Sequence, residues 1–283
     1  MLKKELHEAN RLSWNAATRA HNSHKGDQAR FLREGGSTLF PEELGLLGEL
    51  KGRSLLHLQC NSGQDTLSLV HHGAEVTGVD ISDEAIDFAR RLSADSGLPG
   101  TFERADVYDW LAAAPAQRFD RVFSSYGAIY WLSDLEPWAR GIARVLRPGG
   151  RFVLVEFHPT LWIFDEKLKL TYPYSGGHHV PEAMGVGDYV ALSGKGLVPW
   201  GYEEGVRDFK NPHPSHGFQW GIGDIINPLL RHGLMLERLE EYCYANGWNG
   251  IAGMREAPGN RYLLPEGVPE LPLLLGLQVR KPE

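Results

Sequence analysis

The chain has 283 residues, of which 29 are Lys or Arg and 36 are Asp or Glu, so its formal net charge is −7. This length suits one large α/β domain with insertions, or two small domains. The mild acidity and the lack of a dense Lys/Arg run argue against a basic nucleic-acid-binding surface, and we expect no nucleic-acid partner. Two cysteines, Cys60 and Cys243, are too few for a disulfide framework and are typical of a reducing cytosol.

The N-terminal sequence is polar, and no segment approaches a run of about 18 apolar residues. The sequence therefore predicts neither a secretory signal nor a transmembrane helix. We expect a soluble cytoplasmic protein without a membrane partner, and leave homodimer formation open.

The predicted elements begin with a polar helix over roughly residues 4–20 and a glycine-broken segment, and we expect residues 1–50 to form an N-terminal helical cover. Short apolar runs then alternate with segments of helical periodicity. Strands are predicted at 54–59, 75–80, 101–106, 120–125 and 151–157, and helices at 64–72, 83–96, 107–113 and 134–146. Regular β–α alternation predicts a doubly wound parallel sheet with helices on both faces.

The alternation stops after Phe157, where about 60 residues rich in Gly, Pro, His and aromatic side chains follow. A helix near 222–232 comes next, and strands near 235–242 and 273–280 are predicted to form an antiparallel hairpin at the end of the sheet. We predict a seven-stranded, mostly parallel α/β sheet with the last strand antiparallel, in one domain over 51–283. Long irregular segments in a compact domain are often functional, and we expect lid insertions at about 159–221 and 243–272.

The segment from Ser54 to Asp80 has the pattern of strand, polar turn, helix and second strand ending in a carboxylate. A dinucleotide-binding turn needs glycines, so that backbone amides can approach the diphosphate. The corresponding positions here are Gln59, Asn61 and Gly63. Because only the last is glycine, the turn favours a nucleoside ligand without diphosphate, and we predict S-adenosylmethionine (SAM) as the cofactor.

Four segments in this order resemble class I SAM-dependent methyltransferases: LLHLQCNSGQDT, VTGVDIS, RADVYDW and FDRVFSSYGAIYWL…ARVLRPGGRFVLVEF. The resemblance covers residues 54–157 and, more loosely, the C-terminal helix and strands. HLQCNSGQDTLSL with VEFHP is similar to a branch of bacterial methyltransferases whose substrates are mostly unassigned. The resemblance implies transfer of a methyl group from SAM. The family's usual acid is replaced by His57, which leaves open how the methionine ammonium is held.

In a doubly wound sheet, ligands bind at the carboxyl ends of the strands. We predict that Gln59, Cys60 and Asn61 pass beneath the methionine portion and that the two amides hydrogen-bond it; alternatively, they only cap the following helix. Ser125 ends the fourth predicted strand and is expected to border the cofactor. Trp14 on the N-terminal helix is expected to cover it; alternatively, it only pins a surface helix.

Two acids end the second and third predicted strands. Asp80 is predicted to accept hydrogen bonds from both ribose hydroxyls, with Ile81 packed on the adenine. Asp106 is predicted to accept from the adenine amino group, while the Val107 amide donates to a ring nitrogen. For each acid the alternative is a helix cap.

Methyl transfer is an in-line displacement whose thioether leaving group needs no acid, so positioning is expected to lower most of the barrier. His158, at the end of the fifth predicted strand, is the candidate general base for a protonated acceptor; alternatively, it only ends a strand. Tyr130, His216 and Trp220 are predicted to contact an acceptor that is apolar or aromatic. The spacing of His213 and His216 lacks the context of a metal site, and we predict no metal.

We therefore predict SAM-dependent methyl transfer to a small-molecule acceptor. Two alternatives stay open. The first is an NAD(P)-dependent oxidoreductase, which would need the missing glycines of the first turn. The second is a SAM-fold binding protein without catalysis, which the altered turn makes credible. The sequence determines neither the acceptor nor the methylated atom.

Overall fold

The structure is a computed structural model that describes residues 2–165, 167–198 and 200–283. Its strands are, in chain order, β1 (Ser54–Leu58), β2 (Glu75–Asp80), β3 (Thr101–Arg104), β4 (Phe119–Ser125), β5 (Leu146–Phe157), β6 (His178–Glu182), β7 (Ser215–Gln219), β8 (Met235–Tyr242), β9 (Ala245–Asn246), β10 (Arg255–Ala257), β11 (Arg261–Leu263) and β12 (Leu274–Arg280). Its helices are α1 (Lys4–Ser23), α2 (Gln28–Arg33), α3 (Pro41–Leu47), α4 (Gln64–Val70), α5 (Asp83–Ser96), α6 (Val107–Ala113), α7 (Leu135–Val145), α8 (Tyr189–Ser193) and α9 (Ile222–Arg231).

The central sheet has seven strands in the order β3-β2-β1-β4-β5-β12-β8. Strands β1 to β5 pair in parallel, whereas β12 is antiparallel to both β5 and β8. The strand order changes direction between β1 and β4, which is where such sheets open a ligand crevice. The predicted seven-stranded, mostly parallel fold with an antiparallel last strand is confirmed.

The element boundaries differ from the predictions by a few residues. Helix α1 extends to Ser23, and the glycine-broken segment contains the short helices α2 and α3. Strand β3 ends at Arg104 because Asp106 already caps α6. Helix α7 ends at Val145, and β5 begins directly after it at Leu146.

The core has two layers of side chains, one on each face of the sheet. On β5, Phe152 and Leu154 pack into the cluster beneath α6, α7 and α9, while Val153 and Val155 pack into the cluster beneath α3 and α4. This alternation follows from the two-residue period of a strand. Because helices cover both faces, the inner strands β1 and β5 contain nearly continuous buried runs, whereas the edge strands β3 and β8 are more exposed.

Gly63 allows α4 to approach the neighbouring helix and strand closely. Its φ is +79°, and a Cβ atom at this position would lie 2.8 Å from the Ala89 Cβ and 2.9 Å from the Phe102 ring. A side chain would therefore clash as well as strain the backbone.

The segments between β5 and α9 and between β8 and β12 contain small sheets of their own. Strands β6 and β7 form an antiparallel pair, and β10, β11 and β9 form a three-stranded sheet. Helix α1 contacts the first segment: Asn10 makes two hydrogen bonds to the His216 backbone, and the Val186 amide donates to Ser13 Oγ at 2.9 Å. Helix α1 and the segment between β5 and α9 thus pack against each other.

No helix among the described residues has the length and apolar character that crossing a lipid bilayer requires.

Candidate active site

A cavity of about 480 Å³ lies at the carboxyl ends of the parallel strands, beneath α1 and both insertions. Its volume is in the range of sites that bind cofactor-sized molecules. All of the residues predicted to contact the cofactor line this cavity: Trp14, Gln59, Cys60, Asn61, Asp80, Ile81, Asp106, Val107 and Ser125. The fold therefore brings together residues that are far apart in the sequence, and their individual roles stay predictions.

The turn after β1 is held in an unusual backbone conformation. Gln59 and Asn61 have φ values of +54° and +48°, in the left-handed region that favours glycine. The Gln59 Nε2 donates to the Ala128 carbonyl at 2.5 Å, whereas its Oε1 is buried without a partner. The Asn61 Oδ1 accepts from the Ser62 amide at 2.6 Å. Among the described residues, the side-chain oxygen of Gln59, Oε1, is therefore an acceptor that this turn leaves for a ligand.

Asp80 ends β2 at the wall of the cavity. Its carboxylate accepts from the backbone amides of Asn61 at 2.9 Å and Ser82 at 2.8 Å. Burial raises the pKa of Asp80, although these amide hydrogen bonds act in the opposite direction. Ser82, not Asp80, caps α5, since its Oγ accepts from the Ala85 amide. Each carboxylate oxygen retains a further lone pair, so Asp80 can still accept from two hydroxyls.

Asp106 has two protein partners at the end of the third strand. Its Oδ1 accepts from the Tyr108 amide at 2.9 Å, which is the helix cap of α6, and its Oδ2 lies 2.9 Å from His7 Nδ1. Burial acts to raise the pKa of Asp106, but the hydrogen bonds from His7 and the Tyr108 amide hold it below its usual range. His7 also lines the cavity and was missed by the sequence analysis, because nothing local marks a partner 99 residues away.

His57 stands where the resembled family has an acid, and the structure leaves it uncharged. Its Nδ1 lies 2.8 Å from Thr66 Oγ1, and its Nε2 lies 3.5 Å from Ser125 Oγ. Burial lowers the pKa of His57 to about 3. The ring is therefore neutral near pH 7 and supplies no charge to a ligand.

Two charged residues that the sequence analysis did not select line the same cavity. Asp65 lies in the first turn of α4, and Lys25 follows the C-terminal end of α1. The Thr38 hydroxyl donates to Asp65 Oδ1. Burial lowers the pKa of Lys25 to about 8, while the Asp65 carboxylate acts to raise it. Asp65 follows Gly63 by two residues, so its place in the first turn of α4 was the sequence signal that could have found it.

The loop after β4 is held by Glu156, another residue that the sequence analysis missed. Its buried carboxylate accepts from the backbone amides of Gly127, Ile129 and Phe157. Burial raises the pKa of Glu156 to about 7, and these amides act to lower it. An acid inside the apolar run VLVEF was the available signal, since buried carboxylates need hydrogen-bond donors.

His158, the candidate general base, lies outside the cavity lining. Its Nε2 lies 2.9 Å from Glu241 Oε1, and its Nδ1 lies 2.8 Å from Thr160 Oγ1. The His158 amide donates to the Leu273 carbonyl, which continues the pairing next to β12. Phe157 lines the cavity instead. Both ring nitrogens of His158 have protein partners, Thr160 and Glu241, so this arrangement does not support a general base there.

His216 and Trp220 also lie outside the cavity lining. His216 belongs to the β6–β7 pair, and its Nδ1 lies 3.1 Å from His179 Nε2. The Trp220 Nε1 donates to the Leu132 carbonyl at 2.9 Å, and its ring packs against the core. The structure therefore does not bring these two residues to an acceptor, whereas Tyr130 does line the cavity.

Residues 55–150 match a family profile described as "Methyltransferase domain". The central part of the chain is thus similar to a methyltransferase domain, and its strand order and strand-end cavity agree with the class I SAM-dependent fold that the resemblance implied. The chain is 22% identical to an S-adenosylmethionine-dependent methyltransferase structure from Mesorhizobium loti, with a TM-score of 0.57 over 87% of this chain and 99% of that one.

Two curated relatives align over shorter stretches. A SAM-dependent Diels-Alderase of Talaromyces variabilis is 37% identical over 116 residues, 40% of this chain and 39% of that protein. A ubiquinone biosynthesis O-methyltransferase of Proteus mirabilis is 33% identical over 101 residues, 36% of this chain and 40% of that protein. The chain thus spans about two fifths of the length of these relatives.

Proposed function

We propose that this protein is a SAM-dependent methyltransferase that acts on a small molecule. The observation that carries the proposal is the position of Asp80 at the cavity wall beside a turn whose first two glycine positions are Gln59 and Asn61. Such a turn has side-chain amides at positions where a dinucleotide-binding turn needs glycine, so that the backbone amides can approach the diphosphate. The arrangement favours adenosine attached to a sulfonium amino acid over adenosine attached to diphosphate.

The adenosine would lie across the ends of β2 and β3. Asp80 accepts from the ribose hydroxyls and Ile81 packs on the adenine. The second oxygen of Asp106 is shared with His7, so His7 positions the acid that faces the adenine amino group. Val107 completes this side of the cavity.

The amino-acid end would lie between Asp65 and Lys25. His57 is neutral, so the ammonium needs another carboxylate, and Asp65 is the acid that lines the cavity at the start of α4. Lys25 is the matching cation for the carboxylate. A zwitterion between these two groups would satisfy both charges, which are otherwise costly in an enclosed cavity. The buried Gln59 Oε1 offers a further acceptor to the ammonium.

When bound, SAM supplies an electrophilic methyl group on a positively charged sulfur. The protein's part is to orient this group and to exclude water. The aromatic rings of Tyr130, Trp131 and Phe157 line the cavity beyond the strand ends and form a wall for an acceptor. Alignment of two reactants accounts for up to roughly 7–11 kcal/mol of barrier lowering.

We expect Asp80→Ala to weaken binding of S-adenosylhomocysteine, the demethylated product, by about 1.5–3 kcal/mol, which is typical of losing hydrogen bonds to a charged group. Isothermal titration calorimetry measures this change. Asp87→Ala is the matched control, since Asp87 is exposed on α5 and pairs with Arg90 at 3.3 Å. Denaturation curves are needed for both variants, because Asp80 also accepts from the Asn61 and Ser82 amides.

Unchanged affinity in Asp80→Ala would remove the ribose assignment. Binding of NADH without binding of S-adenosylhomocysteine would favour the oxidoreductase alternative. Tight product binding with no methylation of any acceptor would favour a protein that uses SAM without transferring its methyl group. The relative named as a SAM-dependent Diels-Alderase makes that third outcome a distinct chemical possibility.

Three features stay predictions: the cytoplasmic location, the homodimer, and the division into an N-terminal cover over 1–50 and a domain over 51–283. Helix α1 makes hydrogen bonds to Asp106 at the end of β3 and to His216 and Val186 of the first insertion. These contacts support treating the cover and the insertion as one lid. Size-exclusion chromatography with light scattering tests the homodimer.

A further inference from the structure

Glu182 is the acid on the acceptor side of the cavity. It ends β6, and the Tyr130 hydroxyl donates to its Oε1 at 3.0 Å. Among the described residues, no Lys, Arg or His nitrogen lies within 4.0 Å of this carboxylate. The other acids that line the cavity, Asp65, Asp80 and Asp106, lie at the ends of strands or at the start of α4. Glu182 therefore presents a negative charge without a cationic partner.

Aromatic rings surround this part of the cavity. Trp131 lies edge-on to Trp14 and Tyr130, with ring centroids 5.4 and 5.1 Å apart. The ring centroids of Tyr130 and Trp162 lie 5.5 Å apart, and those of Trp162 and Phe157 lie 5.8 Å apart. All five rings line the cavity. Ring faces attract cations by about 0.5–2 kcal/mol each, most strongly when water is excluded.

The position of Tyr130 is built into the fold. A Cβ atom at Gly217 of β7 would lie 1.9 Å from the Tyr130 Cζ, so only glycine leaves room for this ring. Tyr130 is thereby held between the β6–β7 pair and the loop after β4, and its hydroxyl orients the Glu182 carboxylate. Burial raises the pKa of Glu182, which is the response of an acid that lacks a nearby cation.

We propose that the methyl acceptor is a primary or secondary amine that enters as an ammonium ion, with Glu182 as its counterion and the five rings as its walls. This inference rests on the proposed methyl-transfer function and names its substrate class. An ammonium ion offsets the cost of an unpaired carboxylate in an enclosed site, whereas a neutral hydroxyl does not.

In the proposed step, the ammonium first gives one proton to the Glu182 carboxylate, which leaves a neutral amine with a free electron pair. The nitrogen then bonds to the methyl carbon while the carbon–sulfur bond breaks, and that bond's electron pair stays on sulfur. The product is a methylated ammonium ion. The rings stabilise its charge, and Glu182 becomes its counterion again once the proton that Glu182 accepted has passed to water.

The test compares benzylamine, a cation near pH 7, with benzyl alcohol, which has nearly the same shape and no charge. Each probe is titrated into the full chain saturated with S-adenosylhomocysteine, and binding is measured by calorimetry. We expect benzylamine to bind at least about tenfold more tightly than the alcohol, since a desolvated cation–π contact and a counterion act together. Glu182→Gln should remove most of this preference.

Glu204→Gln is the matched control, because Glu204 is an exposed acid in the same insertion. It should keep the preference. Equal binding of the two probes to the unaltered protein would overturn the inference without any variant, and so would a preference that Glu182→Gln leaves intact. Failure to bind S-adenosylhomocysteine would instead count against the proposed function, so the two failures are distinguishable.

Discussion

At the residue scale, the clearest departure from the resembled family is His57, whose burial leaves it neutral. Its folded-state pKa of about 3 lies below the ordinary value of 6.5, so the unfolded chain binds this proton more readily than the folded one. The stability that depends on the neutral ring is therefore complete above about pH 6.5 and is lost as the pH falls toward 3.

We expect the free energy of unfolding of the wild-type protein to fall by about 2 kcal/mol more than that of His57→Asn between about pH 7 and pH 5. The asparagine amide takes the place of the ring Nδ1 beside Thr66 and does not titrate in this range. Urea denaturation at each pH measures the difference.

His72→Asn is the control for this experiment, because His72 is exposed and its loss should leave the pH dependence of the wild type in place. Parallel pH profiles for the wild type and His57→Asn would contradict the buried, neutral state of His57.

At the scale of elements, α1 is fastened across the carboxyl ends of the strands by side chains spaced along its length. His7 Nδ1 lies within hydrogen-bond distance of Asp106 Oδ2, at 2.9 Å. Further along the helix, Asn15 accepts from Ser82 Oγ at 2.7 Å, and Asn22 donates to Ser62 Oγ at 2.9 Å. These contacts recur every seven or eight residues, which is two helical turns, so they share one face of the helix. The helix therefore covers the cavity from the end of β3 to the turn before α4.

Asn10 joins this helix to the insertion through two hydrogen bonds, from its Nδ2 to the His216 carbonyl at 2.9 Å and from the His216 amide to its Oδ1 at 2.7 Å. Asn10→Ala should weaken the closed position of α1 by about 1–3 kcal/mol, because both backbone groups lose their partner. We expect dissociation of S-adenosylhomocysteine to become about fivefold faster or more, as measured by stopped-flow tryptophan fluorescence.

The control for the α1 variant is Glu5→Ala, since Glu5 is exposed on the same helix. It should leave the dissociation rate unchanged. If Asn10→Ala also released the product at the wild-type rate, α1 would not limit ligand exit.

At the scale of the whole molecule, the cavity is built from parts that meet only in three dimensions. Trp14 comes from the N-terminal helix, Phe157 from the sheet, and Trp162 and Trp248 from the two insertions. A ligand in this cavity contacts all of these parts, so its binding should stabilise them together.

We expect S-adenosylhomocysteine at about 100 times its dissociation constant to stabilise the folded protein by about 2.7 kcal/mol and to raise the thermal midpoint by roughly 5–10 °C. Differential scanning fluorimetry measures the shift. NADH at the same concentration is the control and should cause no shift. The opposite pattern, a shift with NADH alone, would contradict the assigned cofactor.

The sequence by itself was enough for the features that depend on local physics. Strand and helix periodicity, and the acids at strand ends, predicted the sheet and brought Asp80, Asp106 and the turn at 59–61 to one crevice. These features were predictable because parallel strands in a doubly wound sheet all end at the same edge.

Only the tertiary structure decided which other side chains share that crevice. Lys25 and Glu182 come from segments with weak periodicity, and no local pattern states where an irregular chain turns its side chains. The same reason explains why His158 faces Glu241 and why His216 lies in a strand pair, away from the cavity. Such pairings join residues far apart in the sequence, so they are determined by the packing of the whole chain and not by its local pattern.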